Sequence, residues 1–169
     1  MLTMGVAIAV PEPYGAQLRA WRSEFGDPMA ETVPTHITLA PPIEVEDDEV
    51  EGVAERLAKA ALDHEPFDIC LRGTGTFRPV TPVVYVAIAT GHECIDQLAR
   101  SVRVQLGSPP LEFPFHPHVT VAQHLDESAL DRASEQLNAY ECGFGVRSFS
   151  LYLHEEGSGW MPKRDFSLG

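Results

Sequence analysis

Cationic side chains are scarce in this chain. Its 169 residues carry 12 Lys and Arg against 25 Asp and Glu, a formal charge of -13. A field of that sign repels a nucleic-acid backbone, whose binding rests on neutralising many phosphates with Lys and Arg, so long RNA or DNA is not an expected partner. A small phosphate-bearing molecule is still accommodated, because a few aimed donors make a local positive patch inside an acidic protein. Cysteine is sparse as well. Cys70, Cys94 and Cys142 form an odd set without CxxC spacing, which offers neither a disulfide framework nor a cysteine-rich zinc site and fits a reducing cytoplasm. No apolar run approaches the roughly 20 residues of a membrane span. The N-terminal run Met4 to Val10 soon meets Pro11 and Pro13 and has no basic flank, so it does not read as a signal segment. With 44% hydrophobic residues, the expectation is a soluble, cytoplasmic monomer, either one ordinary domain or two small lobes sharing a core.

What is present is a regular alternation of strand and helix patterns. Residues 4 to 10 read as a strand and Tyr14 to Phe25 as a helix broken by Gly26-Asp27-Pro28. Pro34 to Ala40 reads as a strand stopped by Pro41-Pro42. The next helix is expected to be capped by Asp48 with Glu51 in capping-box spacing, and Val50, Val53, Ala54, Leu57, Ala58 and Ala61 follow the helical period. Strands over Phe67 to Phe77 and Val83 to Ala89 are joined by a two-proline turn. A helix with Ile95, Leu98, Ala99, Val102 and Leu106 on one side ends at Gly107. The proline-rich segment Ser108 to Pro117 then leads into a strand at His118 to Gln123. Asp126 caps a last helix, and Phe144 to Leu153 and Trp160 to Leu168 read as closing strands.

The order strand, helix, histidine strand, helix, strand occurs over residues 4 to 77 and again over residues 83 to 153, with a closing strand at 160 to 168. This duplication predicts an α/β chain forming a single domain, residues 1 to 169, of two pseudo-symmetric lobes around a central cleft, with antiparallel-rich sheets and outer helices.

The chemistry lies on the two histidine strands. Pro34-Thr35-His36-Ile37-Thr38-Leu39 and Pro117-His118-Val119-Thr120-Val121 both contain His-x-Thr-x. On a strand, residues i and i+2 share a face, so His36 with Thr38 and His118 with Thr120 are turned one way and their apolar neighbours the other. If the lobes pack about a pseudo-two-fold axis, both polar pairs converge on one cleft. Imidazole titrates in the range needed both to take a proton from a nucleophile and to protonate a leaving oxygen. Threonine hydroxyls can donate to phosphate oxygens as charge develops there.

On these two motifs the chain resembles the two-histidine (2H) phosphoesterase superfamily, which includes 2'-5' RNA ligase-like proteins and cyclic nucleotide phosphodiesterases. The resemblance covers nearly the whole chain. It implies a bilobal α/β fold and metal-free hydrolysis of 2',3'-cyclic or related phosphodiesters, with no cofactor. The catalytic residues it implies are those matching His36, Thr38, His118 and Thr120. The expected substrate is a small nucleotide or an RNA-end phosphodiester, with His118 favoured as base and His36 as acid. Family members that handle RNA ends often place an arginine after the second motif, where this chain has Gln123. Arg78, in the glycine-rich stretch Gly73 to Pro79, is the candidate replacement, against the alternative of a solvated turn arginine. Tyr85, Phe113 and Phe115 are candidates for stacking a base, against a purely core role.

Three alternatives stand beside this reading. His116 and His118, with His36 or His124, present a zinc-like set of donors. The fold also permits a nucleotide- or RNA-end-binding module without turnover. The same groups run in reverse would give 2'-5' RNA ligase activity, a minor role given the acidic charge.

Overall fold

A computed structural model describes all residues, Met1 to Gly169. The architecture is mixed α/β, with two four-stranded antiparallel sheets and four α-helices. In chain order the elements are β1 (Leu2–Ala9), α1 (Tyr14–Glu24), β2 (His36–Val45), α2 (Val50–Ala61), β3 (Phe67–Thr76), β4 (Val83–Thr90), α3 (His92–Leu106), β5 (His118–Gln123), α4 (Glu127–Gln136), β6 (Glu141–Val146), β7 (Ser148–Glu155) and β8 (Gly159–Ser167). One sheet runs β2-β1-β7-β8 and the other β5-β4-β3-β6. The histidine strands β2 and β5 are therefore both edges, each flanked by the strand that opens its half of the chain. The two edges lie against each other, and this seam positions the site.

Helical periodicity places the outer layer. Val53, Ala54, Leu57 and Ala61 of α2 and Ile95, Leu98, Ala99 and Val102 of α3 are buried at i, i+3, i+4 spacing. These two helices pack on each other, α3 also against β2 and α2 against β8. Helix α1 reaches across to β5, and α4 covers β3, β4 and β5. Gly107, with φ of 62°, takes the left-handed conformation that ends α3. Asp126 caps α4 by accepting the Ala129 N–H at 2.8 Å.

Four sequence expectations are corrected. Strand β2 runs through Pro41-Pro42 to Val45, because its register against β1 jumps there. Met4 faces Ile43 and Val6 faces Ala40, so the two prolines oppose Gly5 alone. A bulge on an edge strand is where proline's missing N–H is tolerated. Asp48 does not cap α2. It lies in a 3-10 turn, Asp47–Glu49, and the helix starts at Val50 without a side-chain cap; the acidic cluster Asp47, Asp48, Glu49 and Glu51 meets the helix dipole instead. The stretch 144 to 153 is two strands divided at Arg147, with Phe144 opposite Ile69 in one sheet and Leu151 opposite Val6 in the other. Finally, the boundary near residues 77 to 83 is not a sheet boundary. The short link from β3 to β4 makes them an antiparallel hairpin, as a connection of that length requires, so β3 belongs with the second half of the chain.

The β5 side of the seam is held by a buried ion pair. Asp27 Oδ2 accepts from Arg22 Nε at 2.8 Å and from the backbone N–H of Gln123 at 3.1 Å, while Oδ1 accepts from Met29 N at 2.9 Å. Arg22 and Asp27 are almost fully buried. One carboxylate thus joins α1, the turn after it and the end of β5. Removing it leaves a buried guanidinium without its partner, and breaking such pairs costs about 3–5 kcal/mol. Asp27→Ala is expected to lower the unfolding free energy by that amount in urea titration; a loss below about 1 kcal/mol, typical of an exposed pair, would remove Asp27 from this role.

Candidate active site

The alternation along both edge strands is the one the motifs require. His36 and Thr38 are half-buried between the fully buried Ile37 and Leu39, and His118 and Thr120 stand likewise beside Val119 and Val121. The two rings are anchored in the same way. Nδ1–H of His36 donates to the carbonyl of Pro34 at 2.7 Å, and Nδ1–H of His118 donates to the carbonyl of His116 at 2.7 Å. A carbonyl only accepts, so the neutral ring carries its proton on Nδ1 in both cases and Nε2 keeps a free lone pair. Each strand thereby presents one acid-base atom held in a set orientation by the backbone two residues earlier.

Both histidines have pKa values below the ordinary imidazole range. For His36 the main cause is burial, which withholds water from the imidazolium. The Pro34 carbonyl opposes this, and the charges of Arg22 and His118 push the value further down. For His118 burial again dominates, the His116 carbonyl opposes it, and the charge of His116 adds to the lowering.

Two recesses open beside them. A chamber of about 480 Å³ is lined by His118, Phe77, Val80, Thr81 and the segment Leu111 to His116, including Phe113 and Phe115. A hollow of about 120 Å³ is lined by His36, Gly5, Ala7, Tyr152 and Trp160 among others. Thr38 and Ala40 line both, so the recesses meet at β2. No Lys or Arg lines either one. Each recess thus has one imidazole on its wall whose free Nε2 can take up or supply a proton.

The remaining candidates are distributed as follows. Thr120 faces Tyr85 of β4 and lines neither recess. Phe115 lines the chamber with the Arg103 guanidinium 4.9 Å from its ring centroid, and Phe113 is exposed at the chamber's rim. Tyr85 is buried against Phe77, with ring centroids 4.7 Å apart, and lies 5.4 Å from the His118 ring. It supports that imidazole and presents no face for a base. Arg78 lines neither recess, and its guanidinium is engaged, with Nη1 donating to Glu127 and Asp131 of α4 and Nε to Thr76. The glycine-rich stretch before it belongs to β3. A Cβ at Gly75 would stand 2.5 Å from the Tyr85 hydroxyl, so that glycine makes room for an aromatic ring. Gln123 contributes its backbone N–H to Asp27. The zinc alternative lacks its ligand set, since no three His, Cys, Asp or Glu side chains gather in a metal-holding group.

Sequence reasoning missed Phe77, which meets His118 edge-on at 4.9 Å between centroids, and the pair Tyr152 and Trp160. Phe77 ends a strand beside the same turn as Arg78 and carries no local signal of its own. Trp160 reaches the site only because β8 pairs with β7 and β7 with β1, contacts between the two ends of the chain.

Two antiparallel sheets whose edge strands carry matched His-x-Thr motifs, with His36 and His118 beside adjoining recesses, have the form of a two-histidine phosphoesterase. The model of the 2'-5' RNA ligase superfamily matches residues 10–158, and the chain belongs to that family. A protein of Oceanobacillus iheyensis, provisionally named a phosphoesterase, is 29% identical and covers 98% of this chain and 97% of its own length. A similarly named protein of Bacillus pumilus is 30% identical over 85% of this chain and 84% of its own. Among solved structures, E. coli LigT complexed with 3'-AMP superposes with a TM-score of 0.73 at 22% identity, covering 99% of this chain and 98% of LigT. A protein of Thermus thermophilus gives 0.70 at 21% over 99% and 98%. These structures share the fold.

The depressed imidazoles set a measurable sign. A base whose folded pKa lies below its unfolded value stabilises the fold above the unfolded pKa and loses that stability as pH falls towards the folded one. Proton NMR titration is expected to place the midpoints of His36 and His118 below 6.5, and a midpoint above 6.5 for either ring would contradict the burial described.

Proposed function

We propose that this protein is a metal-independent phosphodiesterase that hydrolyses a small nucleotide phosphodiester, 2',3'-cyclic or related, by two-histidine acid-base catalysis. The observation that carries the reading is the matched anchoring of His36 and His118, each held by a carbonyl two residues back with Nε2 free, beside recesses that meet at Thr38. Nε2 of His118 takes a proton from water as the water oxygen attacks phosphorus in line. The opposite phosphorus–oxygen bond breaks, and the departing ribose oxygen takes a proton from Nε2 of His36. The product is a nucleoside monophosphate, and proton exchange with solvent restores both rings. Arg22, whose charge lowers the pKa of His36, makes the His36 imidazolium the readier proton donor. Thr38 and Thr120 donate to the non-bridging oxygens as they gain charge.

The size and lining of the site support a small, singly charged substrate. A chamber of about 480 Å³ lies within the usual range for small-molecule sites, about 300–1,000 Å³. Phe115 and Phe113 offer aromatic surface for a base there. With no cation on the walls, charge on the phosphate is met by the hydroxyls and an imidazolium. Kinship with LigT, whose solved complexes contain 3'-AMP, ATP and NADP+, supports a nucleotide.

The test is turnover of nucleoside 2',3'-cyclic phosphates by protein treated with a chelator. His36→Ala and His118→Ala are each expected to lose about 10²–10⁴-fold in rate, with the chelator making no difference. Tight binding without turnover would favour the non-catalytic module. The pH dependence provides a second check. The profile of kcat/KM reports the free enzyme, which needs one ring protonated and the other not. Because both pKa values are lowered, the bell is expected to peak below pH 6.5, and a peak above about pH 7 would refute the assignment.

A further inference from the structure

The hollow at His36 is unused by a substrate whose one nucleoside occupies the chamber at His118. Its walls are unusual in three respects. They are apolar and uncharged apart from His36 itself, with small and aliphatic residues such as Val6, Val33 and Pro42 around Thr38, Tyr152 and Trp160. Its aromatic side is held in place: the Trp160 backbone N–H donates to the carbonyl of Thr32 at 3.1 Å, His154 meets the indole edge-on at 5.2 Å between centroids, and a Cβ at Gly5 would stand 3.1 Å from Trp160 Cζ3. Its floor is small, with Ala7 and Gly5 on the central strand β1 and the Trp160 indole seated over Gly5. Tyr152 is buried and its hydroxyl pKa is raised by that burial, so it stays a neutral donor.

We infer that this hollow is a second subsite, which takes an uncharged planar group carried on the oxygen of the phosphodiester opposite the one in the chamber. The inference rests on the phosphodiesterase reading above and extends it. A cyclic phosphate of one nucleoside fills only the chamber, whereas a linear diester with a planar group on each oxygen fills both recesses with phosphorus at their junction, beside Thr38. A second phosphate or a sugar-phosphate chain does not fit, since no cation lines the wall. Flat aromatic groups stack on such a platform with little demand for a particular hydrogen-bonding pattern.

Bis(p-nitrophenyl) phosphate and methyl p-nitrophenyl phosphate separate the two cases, because they share a leaving group and differ only in the second planar ring. The chain holds 2 tryptophans, so in a Trp21→Phe background the fluorescence reports Trp160 alone. The expected result is saturable quenching by bis(p-nitrophenyl) phosphate at least about fivefold tighter than by the methyl ester, as one aromatic stacking contact provides, and a KM preference of the same size. Trp160→Ala should bring the two KM values together. Gly5→Val, whose side chain presses on the Trp160 indole while introducing a strand-favouring residue, should do the same if its far-ultraviolet circular dichroism matches the parent. Equal affinity for both esters in the parent protein, or a preference that survives both substitutions, overturns the subsite. Quenching with the expected preference but no hydrolysis of either ester would leave the subsite standing and overturn the phosphodiesterase reading instead.

Discussion

The cleft exists only while two sheet edges stay side by side, and the Asp27 carboxylate ties the end of one of them, β5, to α1 and the turn that follows it. Strands β2 and β5 are not hydrogen-bonded to each other, so their registry depends on what bridges them. Asp27 accepts from Arg22 on α1, from its own turn and from the last residue of β5. A buried carboxylate with three donors is costly to expose and costly to leave half-satisfied, which makes it a rigid peg. The same ion pair enters the chemistry, because the Arg22 charge reaches His36 and lowers its pKa. Packing and proton affinity are thus joined in one contact.

The pseudo-symmetry of the chain extends to the way each ring is held. In both halves an imidazole at the start of an edge strand donates Nδ1–H to a carbonyl two residues earlier. In both, a glycine of the same sheet clears space for an aromatic ring, Gly75 for Tyr85 on the adjacent strand and Gly5 for Trp160 two strands away. The halves then diverge in use. Tyr85 is buried beneath His118 among Phe77 and His116, whereas Trp160 stands in the wall of an open hollow. A symmetric scaffold has become an asymmetric cleft, with a broad chamber on one side and a smaller hollow on the other.

Much of this was legible in the residues. Period-two alternation gave the facing of His36, Thr38, His118 and Thr120, and helical periodicity gave the buried faces of α2 and α3. What could not be read was set by long-range pairing. Pro41-Pro42 looks like a strand terminator until the register shows a bulge opposite Gly5. Arg78 looks like a free cation until α4 brings Glu127 and Asp131 to it. The split at Arg147 follows from a sheet order that no local pattern encodes, and Trp160 enters the site through partners at the other end of the chain. Asp27, read as part of a helix-breaking turn, carries a role that depends on β5 arriving beside it.

The central claim is that His36 and His118 face a single phosphorus. The most direct measurement is nitrogen-15 NMR of the two imidazoles during titration with 3'-AMP. The expected result is that both Nε2 resonances move together, saturate at one equivalent with one Kd, and leave both Nδ1 protons in place. A response from one ring alone, or two rings saturating with different affinities, would show that the imidazoles serve separate sites.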